Sequence, residues 1–145
     1  MTQVELALLT SCLTVCSGVL VLVAGQVLIR FLLDPLTELR KLLGEISDSL
    51  TFYAHVYSNP GSPNQDVLAE AKTVLRQRAS QLWARALSLP FYWLFSLLRL
   101  VPSKKSISTA SSNLIGLSNS VFRGDAAENT KRAVEIREAL GLQKD

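Results

Sequence analysis

The hydrophobic pattern of the chain changes character near residue 30. From Leu6 to Ile29 no Asp, Glu, Lys or Arg occurs, and apolar side chains fall on every side of a helix drawn through the segment. At about 1.5 Å per residue such a helix reaches about 36 Å, more than the roughly 30 Å hydrocarbon layer of a bilayer. We therefore predict a transmembrane anchor over residues 1–33. A fully buried helix of a soluble protein is disfavoured, because so short a chain could hardly wrap it.

One side of this anchor carries small residues at helical spacing. They are Ser11, Thr14, Gly18 and Gly25. Such a face lets a second transmembrane helix approach closely. Val21 interrupts the stripe, and Gly and Ser are common in membrane helices, so a packing face and ordinary composition remain equally good interpretations. Cys12 and Cys16 share another face, where inert packing is favoured over lipidation or redox chemistry.

After residue 33 the apolar positions form a broad stripe along the helix, which suggests burial on more than one side. Asp34 followed by Pro35 is typical of a helix start with an Asp cap, although Pro35 could instead kink one continuous helix. The apolar positions of this first cytoplasmic helix recur in steps of three and four: Leu36, Leu39, Leu43, Ile46, Leu50, Tyr53 and Tyr57. The pattern suits either a self-associating coiled coil or a helix packed inside its own chain, and the width of the stripe favours the second.

The segment from Ser58 to Asn64 is dense in turn-forming residues and predicts a reversal, with Asn64 as the cap of the next helix. That helix alternates large and small apolar residues along one side, which allows close packing: Leu68, Ala71, Leu75, Ala79, Leu82, Ala86 and Leu89.

An aromatic stretch follows, and the positions from Ala86 to Leu98 carry no charge. It is too short to span a bilayer as a helix. We assign membrane-interface character to Phe91, Tyr92, Trp93, Phe95 and Arg99, because aromatic rings and a long basic side chain suit the headgroup level. Burial of the same aromatics in the core of the helical domain is an equally good alternative.

Two further helices are expected. One has its apolar positions at Ile107, Ala110, Leu114, Leu117 and Val121. The last begins after Asp125, with Glu128 in a capping-box position, and ends at Gly141. The predicted fold class is therefore all-α: one N-terminal transmembrane helix and a small antiparallel bundle of about four helices over residues 34–145, with a candidate interfacial segment at 86–101.

Charge and composition set the expected location. The 145 residues carry a formal net charge of +3, with the charges mixed along the chain, so nucleic acid is not an expected partner. The basic residues that flank the anchor come after it, at Arg30, Arg40 and Lys41, while none precedes it. By the positive-inside rule we expect a single-pass protein with its C-terminal domain in the cytoplasm.

Little in the sequence points to catalysis. His55 is the only histidine, the two cysteines lie in the anchor, and no phosphate loop, metal motif or nucleophile motif occurs. We therefore expect no enzyme, no cofactor and no metal. The leading hypothesis is a membrane-anchored helical interaction module, an adaptor or accessory subunit that binds the lipid bilayer and either a protein partner or a second copy. The alternative is an oligomerising effector that perturbs the bilayer.

Overall fold

A computed structural model describes residues 3–61 and 64–142 of the chain. Helices make up 84% of these residues and none of them lies in a strand, which confirms the all-α class. The helices are α1 (Gln3–Leu28), α2 (Asp34–Phe52), α3 (Ala54–Tyr57), α4 (Gln65–Ser88), α5 (Tyr92–Leu97), α6 (Lys104–Ser120) and α7 (Ala126–Leu140).

Helices α1 and α2 are two parts of one helix. A single π-helical turn, Ile29–Leu33, joins them into a continuous helix of 50 residues, Gln3–Phe52. Asp34 has helical backbone angles, and its N–H donates to the carbonyl of Ile29. The interpretation of Asp34 as a helix cap is therefore wrong. Pro35 has no N–H and its ring crowds the preceding turn, and we attribute the wider π turn to this crowding.

Helix α1 has no buried residue. By length and composition it is the one helix in the described ranges that could cross a membrane. Core helices of soluble proteins can have the same composition, but such helices are mostly buried, whereas no residue of the apolar window of this helix is. The apolar side chains of α1 therefore contribute nothing to the core of the chain.

The remaining helices form what we call the helical body, residues 34–142. Helix α4 packs between α2 and α6, α6 packs between α4 and α7, and α7 also touches α2. All seven apolar positions predicted for α4 are buried in the shared core, as are the five predicted for α6. The alternation of Leu with Ala on α4 lets its backbone lie close to its neighbours.

Ion pairs fix the direction of α4 relative to α2. Arg78 lies 2.6 Å from Glu45, and Arg85, further along α4, pairs with Glu38, which is earlier on α2. The two helices therefore run in opposite directions. The end of α4 lies beside the beginning of α2, where the chain leaves α1.

A buried polar contact lies at the end of the body that is far from α1. Asn129 of α7 is fully buried and donates to the backbone carbonyl of Tyr57 at 3.0 Å, while its side-chain oxygen accepts a hydrogen bond from Ser120. A Cβ on Gly124 would lie 2.5 Å from the backbone oxygen of Ser120, so this turn requires glycine. The contact joins α7 to the end of α6 and to the distant residue Tyr57.

Candidate functional site

The most unusual surface of the body lies on the short helix α5. Tyr92 and Phe95 point inward and are 5% and 9% exposed, whereas Phe91 and Trp93 are 61% and 67% exposed. Because successive helical residues turn by about 100°, positions 92 and 95 share one face and 93 falls on another. The predicted membrane-interface set is thus divided: Tyr92 and Phe95 are buried in the core, as the alternative interpretation has it, and contact with a membrane stays a prediction for the exposed Phe91, Trp93 and Arg99.

The outward side of this region is apolar over a larger area than the aromatic residues alone. We call it the apolar ridge, and it consists of Leu87, Phe91, Trp93, Leu94, Leu97 and Leu98. Its four leucines were not singled out in the sequence, although they fall out of phase with the buried positions. Exposed apolar patches of this kind commonly mark binding surfaces for membranes or proteins.

The ridge lies at the end of the body where α1 joins it. The Arg85–Glu38 pair places the end of α4 beside the beginning of α2. The segment after α5 is close to the same place, since Arg40 Nε donates to the carbonyl of Leu100 at 3.3 Å. A membrane that held α1 would therefore be near the ridge.

Tyr92 holds α5 against the body. Its hydroxyl donates to the carbonyl of Pro102 at 2.6 Å, and the Lys104 ammonium lies 5.7 Å from the centre of its ring. Burial raises the pKa of Tyr92 to about 12, so the hydroxyl stays protonated and remains a donor over the physiological range. This inward contact supports the outward position of Trp93.

Both ends of α5 have a residue in the left-handed backbone region. Phe91 has φ 51° and Arg99 has φ 56°. At the C-terminal end, the N–H of Arg99 donates to Ser96 and the N–H of Leu100 donates to Phe95, which is the Schellman arrangement. Helix α7 ends with the same pair of bonds, but there the left-handed residue is Gly141. Arg99 therefore occupies a position where glycine is the less strained residue.

A cleft of about 490 Å³ opens next to this strained position. Arg40 of α2, Ser96, Arg99 and Ser103 of the α5–α6 region, and Glu138 of α7 line it. Among the described residues, the lining of this cleft thus includes two arginines, one glutamate and two serines. The arrangement can bind an anionic oxygen-rich group.

The small residues of α1 form an open face. A Cβ on Gly18 or Gly25 would meet no atom within 4 Å. The Ser11 and Thr14 hydroxyls donate to carbonyls in their own helix, those of Ala7 and Thr10. These internal bonds remove the cost of placing the hydroxyls in an apolar environment. The face remains a predicted packing site.

The predicted seam of α2 lies inside the body. Leu39, Ile46 and Leu50 are fully buried, Leu43 and Tyr53 are nearly so, and Leu36 is half-buried. The Tyr53 hydroxyl donates to Glu70 at 2.9 Å; burial and the neighbouring carboxylate raise the pKa of Tyr53. Since other helices of the same chain cover this seam, the coiled-coil interpretation finds no support.

His55 is exposed on α3 and lies with Nδ1 3.1 Å from the carbonyl oxygen of Phe52. Over residues 3–61 and 64–142, no group of three or more His, Cys, Asp or Glu side chains is arranged to hold a metal ion. In comparisons with known proteins, no family model, curated protein or solved structure matches the chain. A functional proposal therefore has to start from the anchor, the ridge and the cleft.

Proposed function

We propose that this protein is a membrane-anchored, non-catalytic interaction module whose helical body lies against the membrane that holds its anchor. Helix α1 spans the bilayer once, and the body is on the cytoplasmic side. The body binds a protein partner or a second copy of the chain, as an adaptor or accessory subunit does. The observation that carries the proposal is the coincidence of the exposed α1 and the exposed ridge at one end of a body with its own core.

The anchor supports the proposal because none of its residues is buried in the body. The large apolar side chains of α1 are exposed all round the helix, while the core of the body is complete without them. Exposure of so much apolar surface to water is unfavourable by about 25 cal/mol per Å². Lipid, or lipid together with a partner helix on the Gly18–Gly25 side, removes that cost.

The ridge supports a second contact with the same membrane. Leu97 is 71% exposed and Trp93 is 67% exposed, and both are residue types that enter the boundary between headgroups and acyl chains. Arg99 and Lys104 are exposed nearby, and basic side chains at this level suit an anionic leaflet. The basic residues after the anchor support the cytoplasmic orientation by the positive-inside rule.

The two tryptophans of the chain provide a direct test of the ridge. The full chain would be reconstituted into vesicles that contain brominated phospholipids, which quench tryptophan at short range. Trp83→Phe leaves only Trp93 of the ridge, and Trp93→Phe leaves only Trp83 of α4, which is 43% exposed but lies outside the ridge. We expect strong quenching and a blue-shifted emission for Trp93, and weaker quenching for Trp83, which lies one helical turn before Leu87 of the ridge. Equal quenching of the two tryptophans would contradict the proposed contact between the ridge and the membrane.

Anchoring and sidedness need separate measurements. Extraction of membranes with alkaline carbonate should leave the full chain in the pellet, and release into the supernatant would refute the anchor. In sealed vesicles with the cytoplasmic face outward, a protease should remove the body. Protection of the body from the protease would reverse the assigned topology.

The exposed ridge also favours a second candidate function, an oligomerising effector that perturbs the bilayer. Dye-loaded vesicles distinguish the two. An interaction module leaves the dye inside at any protein-to-lipid ratio that keeps vesicles intact, whereas an effector releases it cooperatively. Cross-linking in native membranes then shows whether the interaction module binds itself or another protein.

A further inference from the structure

We infer that the cleft between Arg40 and Arg99 binds the phosphate diester group of an anionic phospholipid. This inference rests on the proposed membrane association and adds to it a specific ligand chemistry. The ridge would supply a general apolar contact with lipid, and the cleft would select among headgroups.

The cleft has the charge that this ligand requires. Arg40 and Arg99 contribute two positive charges and Glu138 one negative charge to its lining. Counted over the described residues, the lining therefore has a net charge of +1, which matches the single net negative charge of an anionic phospholipid such as phosphatidylglycerol. A guanidinium carries five N–H donors in a planar fork suited to phosphate oxygens. The bond from Arg40 Nε to Leu100 uses only one donor and leaves others for the ligand.

The backbone at Arg99 supports a functional reason for the arginine. This residue closes α5 in a left-handed conformation that disfavours any side chain, and the corresponding position at the end of α7 is Gly141. Strain of this kind is often found at binding sites, where the surrounding structure compensates for it. Among residues 3–61 and 64–142 Arg99 forms no ion pair, so no salt bridge within the described chain accounts for its charge.

The location of the cleft identifies the phosphate as a lipid phosphate. The cleft lies beside the ridge, because its lining residues Arg99 and Leu100 directly follow Leu98, and the same region contacts α2 near the point where it leaves α1. With Trp93 and Leu97 at the boundary of the acyl chains, the cleft would lie at the level of the headgroups. Its volume of about 490 Å³ is within the range of small-molecule sites.

The test uses native mass spectrometry of the full chain in detergent micelles. Phosphatidylglycerol, with a net charge of −1, is the probe. Phosphatidylcholine, which has the same phosphate diester beside a cationic choline, is the zwitterionic comparison, and glycerophosphoglycerol is the soluble headgroup without acyl chains. We expect one tightly held phosphatidylglycerol per chain, and Arg99→Gly should weaken its binding about tenfold. Arg99→Gly keeps the closing bonds of α5 and relieves its strain, so an unchanged or higher melting temperature would show that the loss does not come from unfolding.

A matched control removes the same charge elsewhere. Arg123 is exposed in the turn after α6, at the opposite end of the body, and Arg123→Gly should leave lipid binding unchanged. Equal binding by wild type and Arg99→Gly, or equal loss in Arg99→Gly and Arg123→Gly, would overturn the inference. Binding of glycerophosphoglycerol as tight as that of the lipid would retain the phosphate site and overturn its assignment to a lipid source.

Separate measurements distinguish an error in the inference about the cleft from an error in the proposed function. Carbonate extraction and quenching of Trp93 report membrane association without involving Arg99. If both succeed while lipid selectivity is absent, the anchor and the ridge stand and the cleft does not. If both fail, the protein does not lie on a membrane, and the inference that the cleft binds a lipid fails with it.

Discussion

The two halves of the helix Gln3–Phe52 share one backbone and have opposite surfaces. In α1 apolar side chains are exposed on all sides and no residue is buried. In α2 the apolar side chains occupy one side, and six of its residues, Leu39 among them, are buried against the body. The comparison shows that helical backbone says little about environment. The distribution of apolar positions around the helix distinguishes a helix that packs in the core of the chain from one that does not.

Helix α5 has one buried apolar side and one exposed apolar side within six residues. Its Tyr92–Phe95 side is buried like the inner side of α2, and its Trp93–Leu97 side is exposed like α1. A short helix at the end of the body can therefore join the protein core to an apolar medium.

The largest effect is expected in the core of the body. Ile46→Ala removes a fully buried side chain of α2 and should lower the free energy of unfolding by about 2–5 kcal/mol, because it leaves a cavity. Urea unfolding of the full chain in micelles, followed by near-ultraviolet circular dichroism, measures it. Asp48→Ala on the exposed side of the same helix is the control and should change little. Similar losses for both would mean that α2 is not one-sided.

In α1 the effect of a charge should not depend on the side of the helix. Val19→Lys and Val21→Lys place a charge on two different sides of the apolar segment, and both valines are exposed. Each should disfavour membrane insertion by about 2.5–3.5 kcal/mol, the usual cost of a central lysine. The fraction that resists carbonate extraction measures the cost. A marked difference between the two variants would indicate that one side packs against a protein partner.

Removal of a polar side chain should also have different effects in the body and in α1. Asn129→Ala removes a fully buried amide that connects α7 to Tyr57 and Ser120, and should cost about 1–3 kcal/mol of unfolding free energy. Thr14→Val in α1 removes only a bond within its own helix and should have no measurable effect on unfolding of the body. Chemical denaturation of both variants checks this. A neutral Asn129→Ala would show that the buried contact is dispensable.

The smallest effect concerns the inward side of α5. Tyr92→Phe deletes the hydrogen bond to Pro102 and should cost about 1 kcal/mol at neutral pH. Because the pKa of Tyr92 is raised from 10.0 to about 12, the folded state holds the proton more tightly than the unfolded state. The stabilising contribution is therefore complete below pH 10 and is lost as the pH rises through 12.

Unfolding measured from pH 8 to pH 12 tests that linkage. The wild type should lose stability above pH 10 more steeply than Tyr92→Phe, so that their difference shrinks as the pH rises. Parallel curves would show that the Tyr92 hydroxyl is not the titrating group.

Much of the fold follows from local sequence rules. The apolar steps of three and four on α4 and α6 identify the buried positions, and Asp125 caps α7 as its position before the helix suggests. These features depend on residues close together in sequence, where helical periodicity and backbone hydrogen bonding decide the outcome.

The missed features depend on contacts between distant residues. The inward turn of Tyr92 is fixed by Pro102, and the burial of Asn129 is fixed by Tyr57. The left-handed backbone at Arg99 has no sequence signal, because arginine does not prefer that conformation. Thus the sequence predicts the aromatic stretch as a candidate site, whereas the ridge and the cleft depend on the three-dimensional arrangement of the chain.

The unbroken passage from α1 into α2 has a mechanical consequence. Helix α2 extends about 28 Å beyond the π turn, so a change of about 10° in the tilt of α1 would carry its far end sideways by about 5 Å. The continuous helix would act as a lever that converts tilt in the bilayer into displacement of the body. Two glycines inserted after Leu33 should disconnect that lever, and distances between spin labels on α1 and α2 would then vary independently of bilayer thickness.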